Sequence, residues 1–194
     1  KELFEKISSS SSEVSGAVYI PEEPKAANYN CNKERVFKLN DLKSNVPFLA
    51  LRIEGNKTSI NERVKVLTDE LELNKLNISM LDVYQSVPFW KKVNNLEIFA
   101  ETKNNLLRAV IPPSKGNELM QKLENKYKYY IDWCGSLYWI EVQSKKNMKI
   151  IEIKKLIKEL GGYLTIIKTS PDYDYEETIF TVDETRLLIS EKIK

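Results

Sequence analysis

The sequence of 194 residues contains no histidine and only two cysteines, Cys31 and Cys134. Without histidine there is no Ser-His-Asp or Cys-His triad and no histidine-ligated zinc site. The most common general base near neutral pH is also missing. Two isolated thiols form neither a metal cluster nor a disulfide framework, so we expect a reducing compartment. We therefore predict neither a catalytic residue nor a metal site.

Two kinds of segment are also missing. The sequence has no G-x-G-x-x-G or Walker A loop to hold a phosphate group, and no apolar run of membrane-spanning length. The N-terminal residues are charged and polar and lack the apolar core of a signal peptide. We expect a cytoplasmic protein with no direct membrane insertion, which would reach the inner face of the membrane only through a complex.

Charge and composition are ordinary for a globular protein. The chain is 42% hydrophobic and has 30 basic and 28 acidic residues, for a net charge of +2. The most basic stretch, from Lys145 to Lys158, is interleaved with Glu152 and Glu159 at helical spacing. This spacing favours a solvated helix face over a nucleic-acid site, and we predict no nucleic-acid partner.

Apolar periodicity predicts the secondary structure. The predicted strands are Glu13–Ile20, Phe48–Glu54, Leu76–Met80, Leu106–Ile111, Lys128–Trp133, Leu137–Val142 and Tyr163–Thr169. The predicted helices are about Ile60–Leu73, a helix capped by Ser114, Met148–Leu160, and a helix from Thr181 towards Lys194. Capping boxes are predicted at Ser59 and Thr181. Asp82–Asn95 is predicted to be partly helical, with Pro88 either breaking it or opening a second turn.

The order of elements predicts an α+β fold. From Leu106 to Thr169 the order is β-α-β-β-α-β, the ferredoxin-like arrangement of an antiparallel sheet with helices on one face. We predict an N-terminal linker or short helix over residues 1–12. Residues 13–194 are predicted to be one domain of two related halves, about 13–100 and 101–194.

The charged residues within strands are the first candidates for a site. Arg108, between apolar neighbours, could bind a carboxylate or phosphate through its planar guanidinium. The structural alternative is an ion pair with Glu54, Asp132 or Glu141. Asp132 could likewise pair with a base or cap the turn that follows it. For Arg52 and Glu54, on one side of one strand, we favour a structural pair.

Tryptophan and tyrosine side chains are a second group of candidates. They include Trp90, Trp133, Trp139, Tyr127, Tyr129, Tyr130 and Tyr138. They could form a wall for a flat ligand or a domain interface, but strand alternation favours core packing for most of them.

Five segments, in order, resemble a known family. They are VSGAVYIP (Val14–Pro21), LALRIEG (Leu49–Gly55), LLRAVIPP (Leu106–Pro113), YIDWCGSLYWIE (Tyr130–Glu141) and GGYLTIIK (Gly161–Lys168). Together they resemble the C-terminal half of the FAD-binding subunit, or E subunit, of glycolate oxidase, from about Val14 to the end of the chain. That family belongs to the vanillyl-alcohol-oxidase-type flavoproteins.

The resemblance implies an oxidoreductase that converts glycolate to glyoxylate, with FAD as cofactor. It implies that the main FAD-binding domain lies outside this sequence and that this chain is a cap-like fragment, inactive alone. The implied partners are that FAD-binding domain, a second flavoprotein subunit and an iron–sulfur subunit.

By the same resemblance, the positions expected to face the flavin or a partner are Arg108, Asp132, Trp133, Gly135 and Trp139. The chain departs from the family at three positions: Tyr163 replaces a frequent histidine, Lys168 an arginine, and Cys134 a small residue. Two other functions stay open. One is a free-standing ferredoxin-like module that binds or senses a small molecule, and the other is an assembly scaffold without flavin contact.

Overall fold

In a computed structural model, which describes residues 2–21, 47–72, 78–143 and 148–173, the chain forms an α+β fold around one six-stranded antiparallel sheet. The strands are β1 (Gly16–Ile20), β2 (Phe48–Arg52), β3 (Asn105–Val110), β4 (Lys128–Asp132), β5 (Leu137–Val142) and β6 (Tyr163–Lys168). The helices of the described residues are α1 (Glu2–Ser9), α2 (Lys57–Glu70), α3 (Val83–Asn94), α4 (Gly116–Leu123) and α5 (Met148–Glu159).

The second half of the chain forms the predicted ferredoxin-like unit. Its elements follow as β3-α4-β4-β5-α5-β6, and its strands lie in the order β4-β5-β3-β6 with every neighbouring pair antiparallel. This is the strand order of a split β-α-β unit. The predicted α+β fold class, with an antiparallel sheet and helices packed on it, is therefore confirmed.

The first half extends this sheet at one edge. Strand β1 pairs with β4, and β2 pairs with β1, so the sheet order is β2-β1-β4-β5-β3-β6. The strand predicted over Leu76–Met80 is wrong for its described part, because Ile78 and Met80 lie outside any strand and are 45% and 65% exposed. An alternating apolar run becomes a strand only when a neighbouring strand pairs with it.

Helices α4 and α5 cover the face of the sheet that carries Leu107 and Ala109, which we call the first face. Strand alternation sends every second side chain to this face, where apolar residues of both helices meet it. The buried residues of this core include Leu107, Ala109, Leu119, Leu123, Tyr138, Ile140, Ile150, Ile153, Ile157 and Leu164. Helices α1 and α2 cover the same face over β1 and β2, with Ile7, Leu67 and Leu71 against Ala17.

Helix α3 packs on the opposite, second face of the sheet. Its N-terminus has a full capping box between Asp82 and Gln85, and it continues through Pro88 without a break. Proline removes one helical hydrogen bond. Burial of Phe89, Trp90 and Val93 against the sheet outweighs that loss.

Two helix starts differ from the predictions. Helix α2 begins at Lys57, with Asn56 as its N-cap, because the Asn56 side chain accepts the backbone N–H of Ser59 at 2.9 Å. The cap is therefore not Ser59. Ser114 lies in a short 3₁₀ turn before α4, and α4 has no side-chain cap. The predicted helix from Thr181 lies outside the described residues.

The serine run joins α1 to β1 as an ordered connection. Ser8 and Ser9 are helical, and Ser12 is buried and donates to the Arg63 carbonyl at 2.9 Å. Arg63 in turn donates to the carbonyls of Ser12 and Glu13. This bracing fixes the N-terminal helix against the first face.

Candidate functional site

Part of the second face of the sheet has no described helix over it. Five half-buried side chains line this part, which we call the open face: Arg108, Val110, Asp132, Trp139 and Thr165. Leu137, which lies between Val110 and Asp132 on the same face, is buried. They share the face because cross-strand partners in an antiparallel sheet point the same way. The rest of the second face lies under α3.

Arg108 lies in the middle of β3 and has Trp139 and Thr165 as its cross-strand neighbours. Its guanidinium carbon lies 5.1 Å from the centre of the Trp133 ring, which is cation–π distance. Trp133 is 56% exposed, so it is not a core residue. The prediction of core packing is confirmed for Tyr129, Tyr130 and Tyr138 and is wrong for Trp133.

Trp133 reaches this position through an unusual turn. The hairpin between β4 and β5 turns at Trp133–Gly135, where three successive residues have positive φ values of 50°, 50° and 92°. Left-handed backbone is costly for any residue except glycine. The Asp132 carboxylate accepts the N–H of Trp133 at 2.7 Å and so caps the turn. Capping was one of the two structural interpretations of Asp132.

Among the described residues, Arg108 does not form the ion pair that was its structural alternative. Glu54 pairs with Arg52 at 2.6 Å, as predicted for those two residues. Glu141 is buried and accepts hydrogen bonds from Thr102 and from the Asn104 side chain. Within the described ranges, no carboxylate forms an ion pair with Arg108.

The Asp132 side chain is partly buried. Burial raises the pKa of its carboxyl, and the hydrogen bond from Trp133 offsets part of that rise. Asp132 lies on β4 and Arg108 on β3, with β5 between them. The two charges therefore share one face without touching.

Trp139 connects the open face with the part under α3. It is half-buried, and its ring centroid lies 6.5 Å from that of Tyr130. Tyr130 is buried and donates its hydroxyl to the Val93 carbonyl of α3 at 3.1 Å. Burial raises the pKa of Tyr130, so this hydroxyl stays protonated as a donor.

Gly135 does not belong to the open face. It is buried against α1, and a Cβ added to it would lie 3.2 Å from the Phe4 ring. The structure therefore brings four of the five predicted positions to one face and places Gly135 beneath the turn, towards the first face. The neighbouring Cys134 is half-buried, and burial raises the pKa of its thiol.

Thr165 and Val110 are the residues of this region that the sequence did not single out. Val110 pairs with Tyr163, which is 46% exposed. Thr165 becomes a neighbour of Arg108 only through the β3–β6 pairing, so strand order was the signal for it, whereas Val110 follows Arg108 by two residues on β3 and shares its face by strand alternation. Lys168, at the other end of β6, donates to the Thr102 carbonyl.

Other kinds of site are not seen in the part of the chain that the structure describes. No group of three or more Asp, Glu, Cys or His residues there could hold a metal ion. Nor is any described helix long and apolar enough to cross a membrane.

Comparisons with protein-family models, with curated proteins and with solved structures find no match for this chain. The open face therefore has to be interpreted from its own chemistry. It offers a flat exposed indole, a guanidinium that has no anionic partner among the described residues, and a second tryptophan beside them.

Proposed function

We propose that this chain is the cap region of an FAD-dependent oxidoreductase subunit that resembles the FAD-binding subunit of glycolate oxidase. The observation that carries the proposal is the Trp133 ring exposed above Arg108 on the open face. A flat aromatic surface beside a cation suits a flat cofactor ring and a small anionic substrate. In this role the open face covers the reacting side of a flavin held by another domain.

The segments that carry the resemblance give further support, since each contains strand residues of the one sheet. Val14–Pro21 contains β1, Leu49–Gly55 contains most of β2, and Leu106–Pro113 contains most of β3. Tyr130–Glu141 contains the β4–β5 hairpin with its turn, and Gly161–Lys168 contains β6. The resemblance thus follows a single structural unit and not scattered surface positions.

The residues present fit one part of FAD. Trp133 and Trp139 suit the flat ring system, and Arg108 can bind the carboxylate of a 2-hydroxy acid. The described residues include no glycine-rich loop for the pyrophosphate, which fits a cofactor bound mainly by another domain. When bound, FAD would supply the two-electron acceptor. This chain would orient the substrate and exclude water, within a complex with a second flavoprotein subunit and an iron–sulfur subunit.

Association with a flavin domain tests the proposal. The chain would be mixed with a glycolate oxidase FAD-binding subunit trimmed of its own C-terminal half. We expect co-elution in size-exclusion chromatography and a changed flavin absorbance spectrum, both weakened by Trp133→Leu. Tyr84→Leu, which removes an aromatic residue that is 85% exposed on α3, is the matched control and should have no effect. Failure to associate contradicts the proposal.

A second measurement tests whether the isolated chain binds FAD. We expect no quenching of FAD fluorescence by the isolated chain at micromolar concentrations. The open face would contact only the flavin ring, and that contact alone is expected to bind FAD too weakly. Tight, stoichiometric FAD binding would show that the main cofactor site lies in this chain, and the cap interpretation would then be wrong.

The complete ferredoxin-like unit between β3 and β6 favours one other candidate, a free-standing module that binds or senses a small molecule. Such a module is expected to form a stable dimer and to melt at a higher temperature with its metabolite. Size-exclusion chromatography and ligand-shift melting separate the two functions, because the cap region should respond to a flavin domain and not to a metabolite alone.

A further inference from the structure

The position of Trp133 is not explained by burial. The side chain is 56% exposed, whereas the core tryptophan Trp90 is 8% exposed. An indole that stays more than half in water gains little from the hydrophobic effect. Its defined contact within the described residues is the guanidinium of Arg108.

The backbone of the turn is strained in order to place this ring. Trp133 and Cys134 both have φ near 50°, in the left-handed region that is unfavourable for residues with a side chain. Strain of this kind persists only where the surroundings hold it, and here the Asp132 cap and the contact of Gly135 with Phe4 do so. Strained backbone that presents one exposed side chain is typical of functional positions.

Arg108 gains orientation from the contact. A guanidinium has five N–H donors, and the contact with the Trp133 ring, 5.1 Å from the guanidinium carbon to the ring centre, leaves donors available to a ligand. Within the described residues the Arg108 side chain has neither an ion pair nor a hydrogen-bond partner. The ring therefore limits the motion of a side chain that would otherwise sample several rotamers.

We infer that Trp133 is a positioning residue for Arg108: its ring holds the guanidinium on the open face with N–H donors available to a carboxylate. The inference rests on the proposed function for the class of ligand, but the hold on Arg108 is a property of the free chain. Trp133 is 56% exposed, so part of its indole stays available to a flavin ring. Reduced motion of the arginine lowers the entropy lost on binding.

The first test needs no ligand. Arginine residues would be modified with phenylglyoxal, and the rate at each site followed by peptide mass spectrometry. We expect Trp133→Leu to speed modification of Arg108 several-fold and Trp133→Phe to leave it close to the wild-type rate. Arg63, whose side chain donates to three backbone carbonyls, is the internal control, and Tyr84→Leu is the control variant. An unchanged Arg108 rate in Trp133→Leu overturns the inference.

The second test uses glycolate as the probe, followed by NMR titration of the arginine Nε–H signals. Because the ring already limits the motion of Arg108 in the free chain, its loss raises the entropy cost of binding, and we expect Trp133→Leu to weaken glycolate binding by about twofold to tenfold. Trp133→Phe should retain most of the affinity, and Arg108→Lys should lose the bidentate contact. Equal glycolate affinity in wild type and Trp133→Leu overturns the inference.

The two tests separate the inference from the proposed function. If phenylglyoxal modification depends on Trp133 but glycolate does not bind the wild-type chain, the hold on Arg108 stands and the proposed ligand is wrong. Thermal unfolding of each variant shows whether it has folded, and Trp133→Met, which also removes the ring, keeps the test valid if Trp133→Leu does not fold.

Discussion

The second face of the sheet has two parts that differ in what covers them. Under α3, the residues Val18, Ile20, Leu106 and Tyr130 are buried by Phe89 and its neighbours. On the open face, Arg108 and Trp139 are only half-buried although they lie on the same sheet, in register with Tyr130. The covered part is a hydrophobic core, whereas the open part is a cation with an indole placed over it. Neighbouring positions on one sheet thus differ: one part is a packed core, and the other is the part to which we assign binding in the proposed function.

The largest expected difference between the two parts is in stability. Phe89 is 2% exposed, and Phe89→Ala should lower the free energy of unfolding by about 3–5 kcal/mol because it leaves a cavity between α3 and the sheet. Trp133→Leu should change that free energy by about 0.5 kcal/mol or less, as expected for an exposed side chain. Urea unfolding followed by circular dichroism measures both. Similar losses would show that the open face also belongs to the core.

The turn that carries Trp133 should show an intermediate effect. Gly135 has φ of 92°, and a Cβ there would press on the Phe4 ring. We expect Gly135→Ala to destabilise the protein by about 1–3 kcal/mol and to move the turn. Urea unfolding gives the stability, and phenylglyoxal modification of Arg108 reports the ring position. Unchanged stability would mean that the turn can adopt another backbone conformation, and that the position of the Trp133 ring is not fixed by Gly135.

The smallest effect concerns the charge at the edge of the open face. Burial raises the pKa of Asp132 above its ordinary value of 3.8, so the folded state binds this proton more tightly than the unfolded state does. Stability from this group is therefore greatest in acid and falls as the pH rises from the ordinary pKa through the raised one. Asp132→Asn keeps an acceptor for the Trp133 N–H and should flatten this fall. Thermal melts from pH 3 upward, roughly to neutrality, compare the two proteins. A parallel pH dependence in both would show that Asp132 is as hydrated as a surface carboxylate.

The strands of the ferredoxin-like unit were predictable to within about a residue, because their apolar alternation is clean and their turns are marked by glycine. Helix α3 was predicted as partly helical, but helical periodicity does not say which face of a sheet a helix covers. The cap of α2 was misplaced because Asn56 and Ser59 are both good caps, and only the folded backbone selects between them.

The candidate site was predictable in part for a similar reason. The strand order of a ferredoxin-like unit makes Arg108 and Trp139 cross-strand neighbours, so their proximity follows from topology. The Trp133 ring above Arg108 depends on two non-glycine residues in left-handed conformation, which sequence propensity argues against. Positions where local preference is overruled are where sequence-based prediction is expected to fail.

The pairing of β1 with β4 also has a consequence for how the chain folds during synthesis. Strand β1 is made early, yet its Tyr19 pairs with Ile131, which lies far along the chain. Contacts between distant residues form slowly, and domains emerge from the ribosome N-terminus first. The nascent β1–β2 segment must therefore wait, with the edge of β1 that pairs with β4 unpaired, until the β4–β5 hairpin has been made. During this interval the chain is most open to aggregation and to chaperone binding.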